Sequence, residues 1–171
     1  MLDEAISALL RAYFVNDAPI DHALLTKPGA PLSTFSARIN TAKALGLLAD
    51  ELYRDLELIR KIRNLAAHFD HRGERPTDFA FTDPDVSDRC RALGCVPPEF
   101  HRAPPRVAFV MLVGLVASIF AEHAANASIA RSHGGHELAT TMLLRVSPAV
   151  PYKAYLSKFF ESHMESDNGS G

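Results

Sequence analysis

An apolar run from Val107 to Ala121, interrupted by one glycine and one serine, requires a large part of this chain to fold around it. The run is shorter than the roughly 20 residues that a helix needs to span a bilayer. It does not alternate with polar residues, as a half-buried strand would. We therefore predict a buried central helix from about Pro105 to Ala130, because proline suits the first turn of a helix.

Apolar residues elsewhere recur mostly at three- and four-residue spacing, which is typical of amphipathic helices. No segment alternates convincingly, so the predicted fold class is all-α, a single-domain bundle of roughly six to eight helices. Ser33 is expected to cap one helix and Gly46 to end it. The predicted helices are Leu2–Val15, Asp21–Thr26, Ser33–Leu47, Asp50–Phe69, one capped by Asp85 or Ser87 and ending at Leu93, Pro105–Ala130, one ending at Arg145, and 152–163.

We predict three regions along the chain: a helical domain over 1–130, a helical extension packed on it over 131–165, and a disordered tail over 166–171. Gly134 and Gly135 are expected to break the long helix where the extension begins. The last helix of the extension has an apolar stripe that we expect to face the same domain. That stripe consists of Tyr152, Tyr155, Leu156, Phe159 and Phe160.

The charge and the cysteine content of the chain count against several classes of protein: DNA-binding domains, exported proteins and disulfide-rich domains. The formal net charge of -2 counts against an autonomous DNA-binding domain, which usually presents a strongly basic face. No basic segment followed by an apolar one opens the chain, so no export signal is expected. With two cysteines a disulfide framework is not expected, and the natural compartment is the reducing cytoplasm.

Two groups of residues have side chains that bind metals, but neither has the spacing of a known site. Cys90, Cys95 and His101 do not match a zinc finger or ribbon. A second group lacks a carboxylate or cysteine at helical spacing to complete it. It consists of His123, His133 and His136. We therefore expect no metal and no cofactor.

Arg60, Arg63, Asn64 and His68 share one polar sector on a helical projection of residues 50–69. The simplest interpretation is a solvated helix face. The alternative is a recognition face, which is the interpretation that we adopt. The core-facing stripe is expected on the opposite side. It consists of Leu58, Ile62, Leu65 and Phe69, flanked by Ile59 and Ala66.

Asp55 falls among the apolar positions of the same helix, where an unpaired carboxylate would be costly to bury. A cationic partner on a neighbouring helix would offset that cost. Arg38 is the first candidate and Arg63 the second. We predict a structural ion pair between Arg38 and Asp55 that joins two helices.

Five blocks of residues occur in an order and at a spacing that are specific only in combination. They are Ala-Pro31-Leu-Ser-Thr-Phe-Ser-Ala-Arg38-Ile, Leu45-Gly-Leu, Asp55-Leu, Ile59-Arg-Lys-Ile-Arg-Asn-x-x-Ala-His68 and Phe81-Thr-Asp-Pro84. Together they resemble the bacterial mannitol operon repressor family. The resemblance covers about 20–93, with weaker similarity to about Ala130. A first helix looks shortened or absent, and 132–171 has no counterpart in the family.

The resemblance implies an all-helical, cytoplasmic regulator of transcription for sugar-alcohol uptake and metabolism. Members of the family lack an obvious helix-turn-helix, and no helix pair here has a short glycine turn followed by a basic recognition helix. Repression would then require a regulatory protein partner, such as a sugar phosphotransferase phosphocarrier, or an assembled oligomer, which we expect to be a homodimer. Strong direct DNA binding and a membrane location are not expected.

An enzyme is the alternative, because Arg63, Asn64 and His68 also resemble the arginine–histidine motif of the HEPN superfamily of helical ribonucleases. In such a metal-independent enzyme, His68 would act as general base, Arg63 would stabilise phosphate charge and Asn64 would orient the phosphate. Arg63 and His68 are five residues apart and about 140° around a helix, so one helix aims them poorly at one phosphate. The chain is therefore read as a non-enzyme.

Overall fold

The computed structural model describes residues 1–14, 17–69 and 81–146, with 68, 69 and 130–146 described by their backbone only. The described residues form α-helices and contain no strand, which confirms the all-α prediction. A π-helical turn at His22–Thr26 and a 3-10 turn at Pro98–Phe100 lie between helices. The helices are α1 (Leu2–Tyr13), α2 (Ala18–Asp21), α3 (Phe35–Ala44), α4 (Asp50–Phe69), α5 (Pro84–Arg91) and α6 (Pro105–Val146).

The core forms where α1 lies along α6, the most extensive helix pair in the described structure. Ile6 and Leu10 of α1 are fully buried, as are Leu112 and Val116 of α6. Their four-residue spacing places each pair on one helix face, so burial of both faces drives the two helices together. Helices α3 and α4 add the fully buried Ile39, Ala42, Leu52, Leu56 and Ile59 to this core.

A second, smaller core joins the end of α4 to α5 and α6. Ile62, Val86 and Cys90 are buried there, and the Phe81 ring lies 5.4 Å from the Phe109 ring, centroid to centroid. The tilt of 52° between the rings is one of the arrangements that aromatic pairs favour. This cluster fixes the position of α5 on the bundle.

Two helix starts differ from the sequence prediction, by one residue at α3 and by two or four residues at α5. Thr34 caps α3, since its hydroxyl accepts a hydrogen bond from the Ala37 N–H at 3.2 Å, so Ser33 as the cap was wrong. Asp83 caps α5, with its carboxylate 2.9 Å from the Asp85 N–H. Pro84 then occupies the first turn, where its missing N–H costs nothing. The predicted caps at Asp85 and Ser87 were therefore also wrong.

The C-terminal ends of α3 and α4 agree better with the sequence-based predictions than the helix starts do. Gly46 follows α3 with φ of +74°, a conformation that glycine adopts without strain, and it ends the helix as predicted. Helix α4 has the predicted bounds, and α1 ends at Tyr13. Predictions for Val15, for the helix at 152–163 and for the disordered tail at 166–171 lie outside the described residues.

Helix α6 is longer than predicted, because it continues through Gly134 and Gly135 to Val146. The break expected at these glycines was wrong: a glycine inside a helix costs about 1 kcal/mol relative to alanine but does not end it. The predicted boundary between 130 and 131 falls within this helix. The segment Pro105–Ile129 is long and apolar enough to cross a membrane, but core helices of soluble proteins share that composition, and 39% of its most apolar stretch is buried here.

Arg38 ties three segments together and is largely buried, with 11% of its side chain exposed. Its guanidinium lies 3.0 Å from Asp3 Oδ1 in α1, and it donates to the carbonyl oxygens of Leu32 at 2.7 Å and Leu25 at 3.2 Å. The planar guanidinium reaches these separate acceptors at once, as a lysine would not. Arg38 thus fixes α3 against α1 and the turn that precedes α3.

We expect Arg38→Met to lower the free energy of unfolding by about 2–4 kcal/mol, because it leaves two carbonyls and the Asp3 carboxylate without their donor. Urea denaturation measures this change. Arg54→Met is the matched control: Arg54 is exposed on α4, and its loss should change stability by less than about 0.5 kcal/mol. Equal effects of the two substitutions would contradict the role given to Arg38.

Candidate functional site

The residues that the sequence predicted for recognition lie on the exposed face of α4. One of them, Arg60, is bound to a carboxylate on the same helix. Its guanidinium makes contacts of 2.8–3.2 Å with both carboxylate oxygens of Glu57, three residues earlier on the helix. These hydrogen bonds raise the pKa of Arg60. Both side chains are mostly covered, at 28% and 22% exposed. The charge of Arg60 is therefore largely compensated inside the molecule.

Arg63 is exposed, but its guanidinium carbon lies 4.9 Å from the centroid of the Phe35 ring in α3. A cation over an aromatic face at this distance is attracted by the ring quadrupole. The contact links the first turn of α3 to the C-terminal half of α4. Arg63 therefore has a structural contact besides any external role.

Asn64 is exposed on the same face, and further along it the hydroxyl of Tyr53 donates to Asn40 Oδ1 at 3.0 Å. His68 belongs to α4 by its backbone, while its side chain lies outside the described part of the chain. The structure thus places Arg60, Arg63 and Asn64 on one helix surface. The recognition role of this surface, and the catalytic role considered for Arg63, Asn64 and His68, stay predictions.

The buried side of α4 differs from the predicted stripe. The fully buried residues are Leu52, Leu56, Ile59 and Ile62, whereas Leu58 and Leu65 are only half-buried. The core face is rotated by about 70° towards Arg63. This rotation brings Arg63 to the edge of the interface with α3, where it meets Phe35, and it places Asp55 at the side of the core.

Asp55 is 2% exposed and binds backbone N–H groups. One carboxylate oxygen accepts from the Gly94 N–H at 2.9 Å and the other from the Cys95 N–H at 2.7 Å. Hydrogen bonds to an ionised acceptor are roughly twice as strong as neutral ones. The Asp55 clamp, as we call these two bonds, holds the segment after α5 against α4.

The predicted ion pair between Arg38 and Asp55 was wrong. Each of the two charges has other partners, Asp3 for Arg38 and the amides of Gly94 and Cys95 for Asp55. The expected partner of Asp55 was a cationic side chain. Every residue except proline has a backbone N–H, so no residue type in the sequence identifies which amide binds the carboxylate. The only available signal was the short segment Leu93-Gly94-Cys95 after a helix, where amides have left the helical ladder.

A groove lies beside the clamped segment, between the end of α5, the 3-10 turn and the start of α6. We call it the α5–α6 groove. It has a volume of about 310 Å³, and its lining includes Leu93, Val96, Phe100 and Ala108. Arg91 and His101 also line it. A second groove of about 340 Å³ runs along α4 beside Gly94 and is lined mainly by charged side chains.

The cysteines and histidines are not assembled as a metal site in the described residues, which hold no group of three or more metal-ligating side chains. Cys90 and Cys95 are buried thiols, and burial raises the pKa of Cys90, so it is held as an apolar, protonated group. His101 Nε2 donates to the Val96 carbonyl at 2.7 Å. Burial lowers the pKa of His123, and the side chains of His133 and His136 lie outside the description.

Comparison with protein families gives one match, to a family described as Mannitol repressor, over residues 1–104. The matched interval is more than half of the chain. It includes α1 to α5, the Asp55 clamp and the exposed face of α4, and it ends just before α6. Comparisons with curated proteins and with solved structures gave no match.

A double-mutant cycle tests the Asp55 clamp. Asp55→Asn replaces one acceptor oxygen by an NH2 group that faces a backbone N–H, so we expect a loss of about 2–3 kcal/mol in the free energy of unfolding. Combined with Arg38→Met, the losses should add within about 0.5 kcal/mol, because the two side chains share no partner. A coupling energy above about 1 kcal/mol in urea denaturation would show that the two side chains interact directly, as the predicted ion pair requires.

Proposed function

The chain belongs to the mannitol repressor family, and on that basis we propose that it regulates transcription of sugar-alcohol uptake and metabolism genes by binding a protein partner. The family match carries the repressor part of this proposal, and it bears out the resemblance of the five sequence blocks. It extends beyond the 20–93 interval of those blocks at both ends. Because a repressor must reach the bacterial chromosome, the compartment that we propose is the cytoplasm.

The charge of α4 supports action through a protein instead of direct reading of DNA. Helices α3 and α4 are joined by a short turn containing Gly46, which is one element of a helix-turn-helix. A recognition helix would present its N-terminal residues to the bases, but α4 begins with Asp50 and Glu51. The helix has four basic and four acidic residues, so it offers no net attraction to phosphates.

The engaged arginines of α4 also weigh against the ribonuclease interpretation. Arg63 would have to leave the Phe35 ring to reach a phosphate, and Arg60 would have to leave Glu57. No observation among the described residues favours catalysis over regulation. We propose a non-enzymatic regulator whose partner is a regulatory protein, with a phosphotransferase phosphocarrier as the first to test and a homodimer as the working assembly.

The proposed function predicts repression in cells without DNA binding by the isolated protein. A reporter driven by the promoter of a polyol-uptake operon should be repressed when this chain is supplied. The purified protein alone should not shift the same promoter duplex between 50 and 200 mM salt, conditions over which a direct binder with six phosphate contacts loses about 10³-fold in affinity. Adding the purified phosphocarrier should produce a complex detectable by size-exclusion chromatography.

Two results would contradict this proposal. A promoter shift by the protein alone that weakens steeply with salt would make it a direct DNA binder. Cleavage of RNA without added metal, abolished by His68→Ala and retained by the control Arg54→Ala, would make it a ribonuclease.

A further inference from the structure

The chain segment that contributes most of the lining of the α5–α6 groove is rich in arginine. Between positions 89 and 106 there are four arginines and one acidic residue, Glu99, in a protein whose formal net charge is -2. Arg102 and Arg106 are exposed, and no ion pair with another described residue is formed by either. Arg91 approaches Asp88 only at 3.9 Å, and both side chains are more than 70% exposed.

The floor of the groove is apolar and held rigidly. Leu93, Val96 and Ala108 are buried beneath it, and Cys90, a protonated thiol, belongs to its wall. The clamp on Gly94 and Cys95 fixes one side, and the hydrogen bond from His101 to the Val96 carbonyl fixes another. A volume near 310 Å³ is at the small end of ligand pockets, which suits one large apolar side chain.

We propose that the α5–α6 groove is a docking site for an acidic peptide segment of a partner protein. One aliphatic or aromatic side chain of that segment fills the groove. The carboxylates of the segment face a rim that consists of Arg91, which lines the groove, and of Arg102 and Arg106, which directly follow the lining residues His101 and Pro105. An apolar anchor surrounded by complementary charge is the usual anatomy of a protein interface. The inference deepens the proposed function and rests on it, since it takes the partner to be a protein.

The arginines favour an anionic occupant, and the composition of the floor favours a peptide over a nucleic acid. A nucleic acid would also be attracted by the arginines, but single strands bind through exposed aromatic faces, and the floor here is mainly aliphatic.

The test uses defined probes and the full chain. A fluorescein-labelled peptide of four glutamates around one central phenylalanine should bind with a saturable rise in anisotropy. The same peptide with alanine in place of phenylalanine tests the groove, and an oligothymidylate of equal charge tests the nucleic-acid occupant. Both should bind at least about tenfold more weakly than the phenylalanine peptide.

Substitutions test the contributions of the charged rim and of the apolar floor to peptide binding separately. Arg102→Glu with Arg106→Glu should weaken binding of the phenylalanine peptide about tenfold or more, and Ala103→Trp, which fills the groove without changing charge, should do the same. The matched control is Lys27→Glu with Lys61→Glu, two exposed lysines that do not line the groove, which makes the same charge change and should leave binding unchanged. Thermal unfolding checks that each variant is folded.

The outcomes are distinct. Equal weakening by the rim and control pairs, equal binding of the alanine peptide, or tighter binding of the oligothymidylate overturns the docking site. The reporter separates this failure from failure of the proposed function. If the protein represses and the arginine pair substitution leaves repression intact, the docking site is wrong and the regulator stands; if the peptide binds as expected but no repression occurs, the regulator is wrong.

Discussion

The two hydrogen bonds from Gly94 and Cys95 to the buried carboxylate of Asp55 connect the helical layer of α4 to everything that follows α5. Without them, the segment between α5 and the 3-10 turn would leave two amides buried or half-buried without an acceptor, at a cost of about 1–3 kcal/mol each. With them, both amides have an acceptor, and the segment is held against α4. The same segment forms one side of the α5–α6 groove through Leu93, Gly94 and Val96.

Asp55 and Arg38 follow the same physical rule, because both use side-chain charge to satisfy backbone groups. Arg38 binds the carbonyls of Leu25 and Leu32, where the chain is not regular helix, and Asp55 binds amides just after a helix. On α4, Arg60 is similarly engaged by Glu57. Arg102 and Arg106, around the start of α6, are among the exposed cations that no described carboxylate pairs with.

Helix spacing in the sequence was enough to predict the all-α fold and the bounds of α4, because burial of apolar faces depends on period and little else. It also predicted that Asp55 is buried. Its partner could not be predicted, since the acceptor meets a backbone 39 residues away whose path depends on the tertiary fold. The direction of the α4 core face was missed for a related reason: Leu58 and Leu65 are as apolar as Leu52, and only the placement of α3 and α6 decides which are covered. Arg91, Arg102 and Arg106 of the proposed rim were present in the sequence, but nothing in their spacing indicates an apolar pocket beside them.

Amide hydrogen exchange, measured residue by residue in the wild type and in Asp55→Asn, tests most directly whether the Asp55 clamp organises the α5–α6 region. The account predicts slow exchange of the Gly94 and Cys95 amides in the wild type. In the variant, exchange at both should be about tenfold faster or more, while the amide of Leu10 in the α1–α6 core stays protected relative to them. Unchanged protection of Gly94 and Cys95 in a folded Asp55→Asn protein would contradict the account.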